Sequence, residues 1–62
     1  MKSIEILLSE LKKANKKYIY EVDYYQRKNL INYKIIYADN AAEAIKKARV
    51  KNIIDLQILN EE

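Results

Sequence analysis

The sequence predicts an α+β domain with the element order αββαβ. Three observations predict it. Apolar residues between Ile4 and Ala14 recur at helical spacing, whereas Lys17–Gln26 and Ile31–Ala38 alternate with period two. At Tyr33-Lys34-Ile35-Ile36-Tyr37-Ala38, followed by Asp39-Asn40-Ala41-Ala42-Glu43-Ala44-Ile45-Lys46-Lys47-Ala48, alternation gives way to helical spacing within two residues. That junction reads as a strand running into a capped helix. A second strand-like run, Ile53 to Leu59, follows and completes a β-α-β unit. Sixty-two residues make one small domain, 1–62.

The first helix spans residues 3 to 15. Ile4, Leu7, Leu8, Leu11 and Ala14 form its apolar stripe. Ser3 is a good N-cap, and Asn15 tolerates the left-handed conformation that ends a helix. In the first strand, Tyr18, Tyr20, Val22 and Tyr24 point one way, and Ile19, Glu21, Asp23 and Tyr25 the other. In the second, Ile31, Tyr33, Ile35 and Tyr37 share a face. Joining the two Tyr/Ile faces requires paired residue numbers that sum to an odd number. A sum of 57 sets Tyr24 opposite Tyr33, Val22 opposite Ile35 and Tyr20 opposite Tyr37, with Asp23 facing Lys34. The turn then centres on Lys28-Asn29, where Asn29 tolerates a positive φ.

The second helix runs from about Asn40 to Val50. Asn40 and Glu43 have capping-box spacing, with Asp39 the alternative cap. Ala41, Ala44, Ile45 and Ala48 form a narrow face that can lie close to a sheet, and Asn52 marks the helix end. Ile54, Leu56 and Ile58 supply the core face of the third strand. The expected sheet is three-stranded and mixed, with order 2-1-3, because the first strand is the longest and richest in β-formers. Order 1-2-3 is the alternative. Both helices are expected on one face, with a right-handed crossover.

Composition narrows the function. Histidine and cysteine are absent, which excludes disulfides and the usual zinc sites. No Asp/Glu cluster has the spacing of a cation loop. Without glycine there is no phosphate-cradling loop. Without His or Cys, most nucleophile–base pairs cannot be built. The expectation is no metal, no cofactor and no enzymatic activity. A chain this short buries only about 60% of its unfolded surface, so a partner or a homodimer is the expected supplement. The apolar run Ile4–Leu8 is broken by Glu5 and followed by Ser9 and Glu10, too short and polar for a signal peptide or membrane span. The expected location is cytoplasmic. Ile, Lys, Asn and Tyr, with A/T-rich codons, supply 32 of 62 residues, and Gly, Ala, Arg and Pro only 8. That bias points to an AT-rich genome, such as that of a low-GC bacterium, its phage or an archaeal virus; a regulator or inhibitor would come from a phage or mobile element of such a host.

Two groups of residues are candidates for a site. Helix return brings Lys46, Lys47, Arg49 and Lys51 towards Arg27 and Lys28 of the turn, forming a basic pole within a net charge of +3. The same placement of bases also suits the helix macrodipole without any ligand. Ile19, Tyr25, Ile36, Ile53 and Leu59 are expected on the outer sheet face, as a partner or dimer contact. Five of six tyrosines (Tyr18, Tyr20, Tyr24, Tyr33, Tyr37) fall on the expected core face, more than two short helices can cover. The reading these features favour is a non-enzymatic protein-binding module, a small regulator or inhibitor such as an anti-CRISPR or anti-restriction factor. The alternative is nucleic-acid binding through the basic pole. Tyr33 to Ile45, about a fifth of the chain, is similar to the strand–helix junction of small phage inhibitors of uracil-DNA glycosylase. Those inhibitors are acidic and this chain is basic, so the likeness transfers no activity and no residue.

Overall fold

A computed structural model describes residues 3–61. Its elements are α1 (Ile4–Ala14), β1 (Tyr18–Arg27), β2 (Leu30–Ala38), α2 (Ala41–Ala48) and β3 (Ile53–Ile58). The sheet order is β2-β1-β3, the expected 2-1-3. Both neighbouring pairs are antiparallel, so the sheet is not mixed. With β1 in the centre, β2 and β3 run parallel to each other but never touch.

Local chemistry starts and stops the helices. The Ile6 N–H donates to Ser3 Oγ at 3.4 Å, and Asn15 turns left-handed at φ 57°. At α2 the Glu43 N–H donates to Asn40 Oδ1 at 2.9 Å, while the Asp39 N–H donates to Glu43 Oε1 at 2.8 Å. This is a capping box whose return arm lands one residue before the N-cap. α2 ends two residues earlier than expected, because Arg49 already turns left-handed at φ 53°. The left-handed Asn52 (φ 59°) steers the chain into β3 instead of ending the helix.

The hairpin register differs from expectation. Arg27 pairs with Leu30 around the Lys28-Asn29 turn, a sum of 57 as foreseen. A bulge between Tyr25 and Arg27 then shifts the ladder, and every pair from Tyr25↔Ile31 to Tyr18↔Ala38 sums to 56. One extra residue turns all of β2 over relative to β1. Asn29 has no positive φ; among the described residues Asn15, Arg49 and Asn52 do. The bulge supplies the twist that a mirror-image turn would otherwise provide.

The inversion decides how the sheet is covered. Leu7 and Leu11 of α1 pack on Ile19, with Ile35, Tyr37 and Leu59 around them. Ala44 of α2 packs on Tyr20 and Ala38, with Tyr18, Ile36, Leu56 and Ile58 around them. Ile19 and Tyr20 are consecutive, so they point to opposite sides of β1. Each helix therefore packs on one face, but the shared Tyr/Ile face of the sequence reading does not exist. The turned-over β2 sends Ile35 and Tyr37 to α1 and Ile36 and Ala38 to α2. Ile19 and Val22 are fully buried, one on each side.

Side-chain ties hold the layers. The Tyr37 hydroxyl donates to Glu10 Oε2 at 2.6 Å, fastening α1 to β2. The Ile19 N–H donates to Asn60 Oδ1 and the Asn60 amide donates to the Lys17 carbonyl, which closes the β1–β3 end. Lys16 Nζ lies 2.7 Å from Glu43 Oε2 and 3.7 Å from Asp39 Oδ2, joining the α1–β1 link to the start of α2.

Candidate binding surfaces on the hairpin arm

Element lengths create the candidate site. β1 has ten residues, about 33 Å of strand. α1 has eleven residues and α2 eight, about 16 Å and 12 Å of helix. Both helices sit at the end remote from the turn, so the hairpin end is bare on both sides. Every residue from Tyr25 to Lys34 is exposed.

On the α1 face this arm is apolar and acidic. Tyr25 pairs with Ile31 and Asp23 with Tyr33, so Tyr25, Ile31 and Tyr33 form one patch, exposed 44%, 59% and 42%. Beside it Glu21, Asp23 and Asp55 share the same face through the Glu21↔Gln57 and Asp23↔Asp55 pairs. Glu21 is held above the usual carboxylate range, first by its hydrogen bond with Asp23, then by partial burial and the charges of Asp23 and Asp55. Asp55 is lowered because the Gln57 amide and the Leu56 N–H both donate to it. No described strand residue on this face carries a positive charge.

The α2 face of the arm is polar and basic. The Asn32 amide donates to Gln26 Oε1 at 3.1 Å, which places Gln26 on this side. Arg27 pairs with Leu30, the residue before Ile31, so the bulge puts Arg27 here too. Lys34 Nζ donates to the Ala48 carbonyl at 2.9 Å, satisfying the end of α2, and sits 6.0 Å from the centre of the Tyr24 ring. The Arg49–Asn52 link leaves α2 beside Lys34 and reaches the Tyr25 N–H, which donates to the Asn52 carbonyl. It carries Arg49 and Lys51 to the rim of this half-face. No described strand residue on this side is acidic.

The structure splits the expected basic pole. Arg27, Lys28, Arg49 and Lys51 lie at the hairpin end or its rim, and Lys34, which spacing arguments had assigned to pairing with Asp23, joins them. Lys47 is turned away: its Nζ donates to the Tyr37 carbonyl at 2.9 Å and lies 3.2 Å from Glu43. Lys46 falls on the side of α2 opposite the buried Ala44 and Ala48. The expected outer-face group is also dispersed. Ile19 is core, Leu59 packs beside it, Ile36 packs under α2, Ile53 is half-buried, and of the five only Tyr25 is exposed.

Both sheet edges are guarded. On β2 the outward Tyr33 N–H donates to Asn32 Oδ1 at 2.8 Å; on β3 the outward Leu56 N–H donates to Asp55 Oδ1 at 2.8 Å. Lys47 covers the outward Tyr37 carbonyl. Side chains thus occupy groups that another strand would need. Among the described residues no group of three or more His, Cys, Asp or Glu can hold a metal, and no helix is long and apolar enough to cross a membrane. Comparison with family models, curated proteins and solved structures found no match.

Proposed function

We propose that this protein is a non-enzymatic protein-binding module, a cytoplasmic regulator or inhibitor of the kind carried by phages and mobile elements. One observation carries the reading. Tyr25, Ile31 and Tyr33 form a contiguous apolar patch on a projecting arm that neither helix covers. Tyrosine and isoleucine side chains half-exposed together favour a macromolecular contact over solvent. The carboxylates of Glu21, Asp23 and Asp55 flank the patch, so the complementary surface is apolar at its centre and basic at its rim. The guarded edges favour docking through this face over strand addition. Absence of His and Cys supports binding over catalysis.

The test is site-specific photo-crosslinking in lysate of a low-GC bacterium. A photoreactive residue at Ile31 should capture a discrete partner, and Tyr25→Lys should abolish the capture. The same residue at Ile45, exposed on α2, should capture nothing. Equal capture at both positions, or none at Ile31, defeats the reading. A captured second copy of the chain would identify the partner as itself and the module as a homodimer.

A further inference from the structure

We infer that the α2 face of the hairpin arm is a seat for duplex DNA, entered through the major groove. This goes beyond the protein-binding reading and lies on the other side of the sheet. The first support is charge segregation. All described strand acids (Glu21, Asp23, Asp55) lie on the α1 face, and both described strand cations (Arg27, Lys34) on the α2 face. Arg27 belongs to the second group only because the bulge re-aims it. Such placement concentrates a net charge of only +3 on one surface.

The second support is shape. Beyond the Tyr24↔Ile53 pair the arm is a two-stranded ribbon, residues 25–27 of β1 and 30–31 of β2, roughly 7–10 Å of strand before the turn. The major groove of B-DNA is about 12 Å wide and 8.5 Å deep and admits such a ribbon. The ribbon's α2 side presents Gln26, whose oxygen accepts from Asn32, so that its amide N–H donors are what it can offer to base edges. Lys28 of the turn and Arg49 and Lys51 of the link after α2 supply further cations for phosphates at this end. Single strands are the poorer fit. They need open aromatic rings for stacking, and the one ring on this surface, Tyr24, is half-buried and overlain by Lys34.

The experiment is fluorescence anisotropy at low salt. Three labelled probes of one mixed sequence are used, each about 20 nucleotides or base pairs, two turns of duplex. They are duplex DNA, its single strand, and the corresponding duplex RNA, whose major groove is too narrow to enter. Duplex DNA should bind tightest, with a log–log salt slope of roughly −3 to −4 from four cations. Arg27→Glu with Lys51→Glu should weaken it at least about tenfold and flatten the slope by about 2. Neither side chain makes a described hydrogen bond or ion pair, and a thermal melt confirms the fold. Lys12→Glu with Lys13→Glu changes the net charge equally and should leave binding almost unchanged. Equal loss in both double variants would assign the effect to net charge. Equal affinity for all three probes would remove the groove, and no duplex binding at low salt would remove the site. Each of these results overturns the inference, whatever the crosslinking at Ile31 shows.

Discussion

The two faces of this sheet are made from the same three strands, yet they differ in cover, charge and chemistry. Under α1 the contacts are large aliphatic ones, Leu7 and Leu11 on Ile19. Under α2 they are small, Ala44 on Ala38 and Tyr20, which lets that helix approach closely. The uncovered half of the α1 face is apolar and acidic, and the uncovered half of the α2 face is polar and basic. A chain too short to build two layers of full length has left half of each face bare. The lesson is economy through alternation: consecutive residues serve different surfaces, and a one-residue irregularity decides which surface each half-strand serves.

The largest expected effect comes from attacking the alternation itself. Val22 is fully buried on the α2 side. Val22→Asp would bury a carboxylate without a partner and should cost about 5 kcal/mol, the lower end of whole-domain stability, so the variant should lack a cooperative melt. Deleting Gln26, by contrast, sets Arg27↔Leu30 directly beside Tyr25↔Ile31 and keeps every other pair, so that variant should still melt cooperatively. A Val22→Asp variant that melts like the parent by far-UV circular dichroism would break the account of the two faces.

Next in size is a comparison of the two cores. Ile19→Ala empties a fully buried site under α1 and should cost about 2–5 kcal/mol. In a domain this small that lowers Tm by roughly 10 °C or more. Ile36→Ala, in a half-buried site under α2, should cost clearly less. Urea titrations of both variants rank the faces, and a reversed order would mean that α2 anchors the fold.

The smallest effects separate the ties by pH. Glu43 is lowered to about 2, chiefly by the Asp39 N–H and then by Lys16 and Lys47. Its folded value lies below its unfolded one, so its contribution is present above about pH 4.5 and fades as pH falls towards 2. Tyr37 is pushed up to about 12, first by burial and then by Glu10. Its folded value lies above its unfolded one, so its contribution is complete below pH 10 and is lost between 10 and 12. Glu43→Gln should therefore flatten the acid limb of the stability profile alone. Tyr37→Phe should flatten the alkaline limb and cost about 0.5–1.5 kcal/mol at neutral pH for the lost hydrogen bond. Thermal melts across the pH range check both. A Tyr37→Phe variant with an unchanged alkaline limb would disconnect that limb from the tie to α1.

Much of the fold was legible in local pattern. Ser3, Asn15, Asn40 and Glu43 each do what short-range hydrogen bonding requires of them, and the junction at Ala38–Asp39 is where alternation stops. The central position of β1 followed from its length and β-forming residues. The candidate surfaces were less legible. Spacing carries Arg27 to the hairpin end without giving its side of the sheet, pairs Lys34 with Asp23 although its amine serves the Ala48 carbonyl, and sends Lys47 to the hairpin end although it serves Glu43 and Tyr37. One signal was available: Ile35 and Ile36 are adjacent apolar residues, and Ile19 sits among acids, which together imply a strand pair covered on both sides.

Caps, turns and strand lengths depend on neighbours within four or five residues, so they can be read along the chain. A bulge carries no compositional mark, because nearly any residue can be the extra one and its benefit appears only after both helices have docked. Period-two patterning says which residues share a face of one strand, but not which faces of two strands coincide. That choice belongs to the packing. With apolar side chains on both sides of β2, the register that feeds a core under each helix buries Ile19 and Val22 together, and the segregation of acids from bases follows from it.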